Sequence, residues 1–317
     1  VTFRQVVPVQ AGSAEWRSIR AGDVTSTEVA ALYDASPYLT PFELWHRKSR
    51  REAGEFQAST RMKWGTRLEP VIAHAAAEEH GWSDVEPYKN YIRLPVHRAG
   101  SSFDFVARVD GHDSLIECKN VGLDRVRHGW VFDGDELREA PLHIELQVQH
   151  QMVVSGIQTA HIAVLVGGNS LHVLRRERDA GIAADILRRV DEFWVSVDAG
   201  KSPAATTEDA DFVIRSLRAQ AGDHSVTCDA LEVVEDLREY SVLGEQLKTL
   251  EAQRDAAKAR VLLAVGDAGS VVTPIGKVSC GMTKDNPGKL VTADMVGTYV
   301  GARAGFRQFR FTPNKAK

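Results

Sequence analysis

Apolar and polar positions alternate with two periods through the first two hundred residues. Runs with apolar residues three and four apart predict helices; runs alternating every second residue predict strands. Thr25–Asp34 (TSTEVAALYD) opens on hydroxyls with Glu28 three residues on, which predicts a capped helix. Pro41–Arg50 carries proline in its first turn and bases at its end, a second helix. Lys63–His80 reads as a longer helix closed by Gly81. Strand patterns follow at Tyr91–Val96, Phe103–Asp110 and Ser114–Asn120, the last two joined by a Gly111-His112-Asp113 turn. Pro141–Ser155 is helical, His161–Gly167 is a short buried strand that Leu171–Leu174 can pair with, and Asp179–Val197 is an amphipathic helix.

The pattern changes at Ala199–Ala205 (AGKSPAA), whose composition suits a linker. This divides the chain into residues 1–200 and 204–317. In the second part Thr207–Ala221 reads as a helix. Asp229–Val265 reads as a long one, with Leu243, Leu247, Leu250, Ala257, Val261 and Ala264 at steps of three, four and seven. Such a helix is about 55 Å long at 1.5 Å per residue, and two of them would form an α-hairpin or short coiled coil. Strand-like alternation returns in VVTPIGKVSCGMT from Val271 and in FRQFRFT from Phe306. The expected architecture is therefore α/β, with a long-helix hairpin and a small β extension after the linker.

Composition narrows the function classes. The chain has 317 residues, 43% of them hydrophobic and 26% charged, which is ordinary for a folded globular protein. The net charge of −4 means that a polyanionic ligand must be met by basic residues gathered on one surface. Three scattered cysteines, Cys118, Cys228 and Cys280, suggest neither a disulfide framework nor a zinc site, and fit a reducing compartment. With no leader pattern and no run of membrane-spanning length, the expected location is the cytoplasm, without membrane attachment. The initial Val1 fits either a GTG start codon or a trimmed terminus.

The most informative chemistry lies in Val109-Asp110-Gly111 followed by Ile116-Glu117-Cys118-Lys119. Strand side chains alternate faces, so Glu117 and Lys119 share one, and Asp110, beside the turn, is expected to reach it. Two carboxylates beside an ammonium suit metal-dependent phosphodiester cleavage: the acids hold Mg²⁺ and the lysine positions or deprotonates a water. Taken alone, the same spacing also describes an ordinary hairpin with a surface ion pair. Three further features weigh toward a site. Trp64–Pro70 (WGTRLEP) puts Glu69 on a helix just before the strands. Gln147 and Gln151 share a helix face just after them. Arg20 precedes the hydroxyls Thr25, Ser26 and Thr27 at a helix start, which suits a terminal phosphate.

In this order the motifs resemble the YqaJ-type viral recombinases, the phage alkaline exonucleases related to lambda exonuclease within the PD-(D/E)XK nuclease superfamily. The resemblance rests on WRSIRAGDVTSTE (16–28), TPFELWHRKS (40–49), WGTRLEP (64–70), ARVDG (107–111), IECKN (116–120) and LQVQHQMVVSG (146–156), with FWVSVDAGKSP (193–203) near the domain's end. It covers about the first 200 residues. It implies a restriction-endonuclease-like core, a mixed central sheet flanked by helices. It implies Asp110 and Glu117 as metal ligands with the Cys118 backbone carbonyl as a further one. Lys119 is then the water-activating residue, with Glu69 and Gln147 in the catalytic site. Arg20 grips a 5′-phosphate, with Ser26 and Thr27 alongside; lambda exonuclease has a serine where this chain has Thr27. The implied activity is Mg²⁺-dependent 5′-to-3′ digestion of double-stranded DNA from its ends, with two metal ions that Mn²⁺ can replace. The implied partners are a single-strand annealing protein in phage-type recombination and further copies of the chain in a ring, trimeric in the family's known cases. A sequence- or structure-specific endonuclease, or a non-catalytic DNA-binding protein, remains open from the residues themselves.

Other features lead elsewhere. Gly200-Lys201-Ser202 looks like the end of a phosphate-binding loop, but Val195 stands where that loop needs glycine. Three cysteines cannot hold the iron–sulfur cluster of some related nucleases. His112 and His150 are candidates for the neighbourhood of the site. After Asp294 the chain has no acid, while Arg303, Arg307, Arg310, Lys315 and Lys317 mix with Tyr299, Phe306, Phe309 and Phe311. That mixture suits either a nucleic-acid contact or an amphipathic hairpin packed on the long helices.

Overall fold

The computed structural model describes residues 3–50, 59–124, 126, 128–217 and 225–281. Strand β1 (Gln5–Val7) is followed by helix α1 (Ala14–Ala21), the two-residue strand β2 (Val24–Thr25) and a 3-10 helix (Val29–Tyr33). Helices α2 (Pro41–Ser49) and α3 (Thr60–His80) come next. Strands β3 (Ser83–Pro87), β4 (Tyr91–Leu94), β5 (Ala99–Ser101), β6 (Phe105–Val109) and β7 (His112–Val121) follow. After the small hairpin β8 (Val131–Asp133) and β9 (Glu136–Glu139) come α4 (Leu142–Ser155), β10 (Thr159–Val166), β11 (Ser170–Glu177) and α5 (Ala180–Asp198). The chain continues through α6 (Ala210–Leu217), α7 (Leu231–Val265), β12 (Ser270–Thr273) and β13 (Gly276–Ser279).

Five strands form a mixed sheet in the order β11-β10-β7-β6-β3. Pairing is antiparallel except between β7 and β10, which run parallel with Glu117 beside Ile162 and Lys119 beside Val164. Parallel neighbours need a crossover, and α4 lies within it. A second sheet, β1-β4-β5-β2, stands apart. This is a mixed α/β core with flanking helices.

Period-two alternation divides β7 between two cores. Ile116 and Cys118 pack with Ile72, Ala73 and Ala76 of α3. Leu115 and Val121 join the larger core with Val148 and Met152 of α4 and Ile186 and Val190 of α5. Glu117 and Lys119 share the parity of Leu115, which places them on the α4 side. Removing a buried side chain such as Ile72 costs about 2–5 kcal/mol, so both cores hold β7 firmly.

Most predicted helices form with the caps the sequence offers. Thr40 accepts from the Glu43 N–H at 3.0 Å, and Gly81 closes α3 with φ of 67°. The Thr25–Asp34 segment differs. Val24 and Thr25 pair with Ala99 and Gly100 of β5, and only a short 3-10 helix follows. Strand pairing takes the residues that a longer helix would need in its first turn. The turn between β6 and β7 also differs: Val109 pairs with His112, so the loop is Asp110-Gly111, both at positive φ (50° and 78°). An Asp-Gly pair in that conformation is a type I′ hairpin turn.

Two compact units divide the chain at residues 212 and 213. The 199–205 linker falls within the first, because the chain beyond it stays attached: Thr40 donates to Asp209, and Phe212 stacks edge-on against Phe42 at 6.2 Å. Helix α6 is described over Ala210–Leu217, and the remainder of the predicted 207–221 helix lies outside the described residues. Helix α7 spans 35 residues and none of them is buried. Strands β12 and β13 pair antiparallel within the stretch that alternates like strands in the sequence. The basic tail and the FRQFRFT strand lie outside the described residues.

Candidate active site

Glu117 is the focus. It is 3% exposed and its carboxylate accepts from three side chains. Gln147 Nε2 donates to Oε1 at 2.6 Å, Gln151 Nε2 to Oε2 at 2.7 Å, and the Lys119 ammonium forms a close ion pair with Oε1. Lys119 also donates to Gln147 Oε1 at 3.4 Å. The glutamines sit four apart on α4, so both amides reach one carboxylate. α4 is buried nearly all round, with Gln147, Gln149, His150 and Gln151 among its covered residues. A helix covered on every face carries buried polar groups only when they are satisfied. The three glutamines are; Gln149 bonds the Glu177 carbonyl and the Asp179 N–H.

Asp110 does not join this group. Glu117 lies five residues beyond His112 along β7, roughly 17 Å from the turn at strand rise. The Asp110 side chain is exposed, and its nearest role is in the Asp-Gly turn. The expectation that it reaches Glu117 is not met, and the reason is its distance along the hairpin. Asp104, one residue before β6, takes the place instead. Phe105 pairs with Ile116, which puts Asp104 opposite Glu117, and the Cys118 N–H donates to Asp104 Oδ2 at 2.9 Å.

The electrostatics identify the same cluster. Burial pushes the Asp104 carboxyl well above its ordinary range, the Glu117 charge adds to this, and Lys119 opposes it. Glu69, on α3, is raised by burial and then by Glu117, with Lys119 and a Thr66 hydrogen bond opposing. Burial works against the Lys119 ammonium, yet Glu117 and Asp104 together hold its pKa above the usual lysine value. Burial raises the Cys118 thiol, with the same carboxylates adding to the effect. The sequence-predicted Glu69, Glu117, Lys119 and Gln147 therefore meet, joined by Asp104 and Gln151. His143, in the first turn of α4, is lowered by burial and by Lys119, which places it nearby. Among the described residues, no three His, Cys, Asp or Glu side chains already form a cage for an ion. The oxygen donors Asp104 and Glu117 are nevertheless hard ligands suited to Mg²⁺.

A second polar group gathers at the end of α1. The Arg20 guanidinium donates to Thr25 Oγ1 and Thr27 Oγ1, each at 3.4 Å, and lies 4.2 Å over the Trp16 ring. Trp16 donates to Ser102 at 3.0 Å. Ser26 is buried and bonded to the Ser101 hydroxyl at 2.8 Å, whereas Thr27 is exposed beside Arg20. Arg20 and Thr27 thus meet as expected, Thr25 joins them, and the Ser26 hydroxyl is engaged within the fold. Helix α4 serves both groups: Gln147 and Gln151 hold Glu117, while His150 feels the Glu28 carboxylate. His150 is fully buried; burial lowers its pKa to about 4, with the Glu28 carboxylate and the Val24 backbone opposing. His112 bonds the Asp110 carbonyl at the distant turn.

Sequence reasoning missed Asp104 because Phe103–Asp110 reads as one strand ending in an acid. The available signal was the Asp-Gly turn: counting back from a two-residue loop puts Asp104 opposite Glu117.

Residues 15–158 match the YqaJ-like viral recombinase domain. The chain is 26% identical over 248 residues to the uncharacterized protein YqaJ of Bacillus subtilis (strain 168), covering 75% of this chain and 74% of that one. Among solved structures, an alkaline exonuclease (LHK-Exo) from Laribacter hongkongensis is 21% identical with a TM-score of 0.44, covering 64% of this chain and 97% of that chain. A phage-related exonuclease from Haemophilus somnus 129PT is 10% identical with a TM-score of 0.37, covering 57% and 96%.

Proposed function

The chain belongs, through residues 15–158, to the YqaJ-like viral recombinase family, and from that premise we propose that it is a Mg²⁺-dependent nuclease digesting double-stranded DNA from 5′ ends. The product is a 3′ single-stranded overhang, the substrate of strand annealing. The observation that carries the reading is the meeting of Asp104, Glu117, Glu69 and Lys119 under the two α4 glutamines.

The residues fit a divalent cation. The Glu117 charge raises the carboxyls of Asp104 and Glu69, and such a cluster around one ammonium calls for added positive charge. Asp104 and Glu117 are the side chains that would hold it, with the Cys118 carbonyl as a backbone candidate; Asp110 has no part in this reading. Bound Mg²⁺ supplies charge to the scissile phosphate and acidifies a water. The remaining work falls to the protein. Gln147 and Gln151 fix the Glu117 carboxylate, as outer hydrogen bonds do at metal sites. Lys119, held as an ammonium, orients the attacking water through its Nζ protons. Glu69 lines the site from α3. Arg20 and Thr27 bind the 5′-phosphate, a charge-assisted contact that selects an end over an uninterrupted strand. The annealing partner and ring assembly expected from the resemblance belong to the same proposal.

The test compares linear 5′-phosphorylated, linear 5′-hydroxyl and closed circular duplexes, with and without Mg²⁺. The expected result is Mg²⁺-dependent loss of the linear DNA, fastest with the 5′-phosphate, and no loss of the circle. Digestion of the circle at the same rate would make the protein an endonuclease. No digestion of any duplex by folded protein would remove the enzyme reading.

A further inference from the structure

Lys48, in the last turn of α2, is a lysine with 4% of its side chain exposed. Lysine is almost never this buried unless paired. Its ammonium has three protons and meets three oxygens: the Arg20 carbonyl at 2.9 Å, the Asp23 carbonyl at 2.7 Å and Glu28 Oε2 at 2.7 Å. It therefore has no proton left for a ligand. It joins the carbonyls on either side of the α1 C-terminus, where a cation is favourable.

Glu28 Oε2 also accepts from the Thr25 N–H at 2.9 Å and from the Thr25 hydroxyl at 2.8 Å. Burial pushes the Glu28 carboxyl up, but Lys48, Arg20 and the Thr25 hydrogen bond bring it below its ordinary value, so it is a carboxylate at neutral pH. A carboxylate only accepts. The Thr25 proton is thus committed to Glu28. In the 3.3 Å contact between Thr25 and Thr27, Thr27 must be the donor. Arg20 donates to both hydroxyls. Lys48 and Glu28 cancel in charge, leaving Arg20 as the net charge of this group.

We propose that Lys48 and Glu28 are positioning residues of the phosphate pocket: their buried pair directs the Thr25 proton inward and leaves Thr27 and Arg20 as the donors that grip the DNA end. This rests on the 5′-phosphate reading above. When a terminal phosphate enters, Thr27 and Arg20 turn their protons from the Thr25 oxygen to the phosphate, and Thr25 cannot compete as a donor. Without Lys48, Glu28 would be an uncompensated anion beside the phosphate, and repulsion would oppose binding.

The readout is the ratio of single-turnover digestion rates on 5′-phosphorylated and 5′-hydroxyl linear duplexes, which a general loss of stability does not move. Lys48→Met is expected to lower this ratio about tenfold, the scale of one hydrogen bond to a charged group. Lys48→Met combined with Glu28→Gln removes the unpaired anion and is expected to recover part of the ratio. Thr27→Val is expected to lower the ratio more than Thr25→Val. The reference is Arg20→Ala. If it leaves the ratio unchanged, the 5′-phosphate reading itself fails. If Arg20→Ala lowers the ratio while Lys48→Met, folded by circular dichroism, keeps the wild-type value, the pocket stands and the positioning role is overturned. A loss with Thr25→Val as large as with Thr27→Val overturns the proton assignment, and this pair decides the matter if Lys48→Met does not fold.

Discussion

The β6–β7 hairpin carries an aspartate at each end, and the two have opposite fates. Asp104 lies at the open end, partly covered, facing Glu117 and raised by burial and like charge. Asp110 lies at the closed end, exposed, its backbone at φ of 50° in a two-residue turn. One residue type on one hairpin belongs to the proposed site at one end and shapes a turn at the other. The difference comes from what the ends face. The open end meets the glutamines of α4 and the acid of α3. The closed end meets Trp82 and His161, whose rings lie 4.6 Å apart, with His161 bonded to Ser114 at 2.9 Å.

That contrast can be broken by experiment. The largest effect is expected from Asp104→Asn, which should cut Mg²⁺-dependent digestion of linear duplex by about 10³-fold or more while the melting temperature holds or rises. Losing a charged group of a metal site has effects on that scale. Comparable activity in the variant would break the assignment of the open end.

At the closed end the expected signature is in stability against pH. His161 is buried and its pKa lowered to about 4, chiefly by burial and then by Arg175 and His80. Its folded value lies below the unfolded 6.5, so the unfolded chain binds more protons between the two. The contribution is fully present above pH 6.5 and is lost as pH falls toward 4. It amounts to no more than about 3 kcal/mol. His161→Asn should flatten the melting-temperature profile between pH 6.5 and 4; an unchanged profile would assign the acid sensitivity elsewhere, with His150 the next candidate on the same sign.

Smaller effects sharpen the contrast. Gln151→Ala should reduce digestion about 10–100-fold, the usual scale for a group that orients a metal ligand, with the loss measured at saturating Mg²⁺ and again at limiting Mg²⁺. Gly111→Ala should destabilise by about 1–2 kcal/mol, because its φ of 78° is costly for a residue with a Cβ, and should leave the digestion rate per folded molecule unchanged. The smallest effect is expected from Asp110→Asn, within about twofold of wild type in rate, since asparagine also suits that turn conformation. Loss of activity with Asp110→Asn would reverse the roles of the two ends.

Much of the fold was legible because local physics set it. Pro41 opens α2, Gly81 closes α3 and Asp179 caps α5, at the ends the sequence gives them. The Glu117-x-Lys119 pair was legible from strand parity alone. The Gln147/Gln151 face was legible from helical spacing. The short strands β1, β3 and β5 were not, because segments such as Ser83–Pro87 (SDVEP) have no hydrophobic alternation and pair only where a neighbour offers an edge. Lys48 was legible only as a base at a helix end.

By itself the sequence determined the parity of Glu117 and Lys119, the shared face of Gln147 and Gln151, and the order of motifs along the chain. These are consequences of the two-residue and 3.6-residue periods, which need no knowledge of neighbours. The tertiary structure fixed the two-residue loop that sets Asp104 opposite Glu117, and it alone decided which hydroxyl stands free beside Arg20 and that Lys48 is covered against Glu28. Those depend on strand register and on contacts between residues far apart in sequence, where a shift of one position reverses a side chain's face.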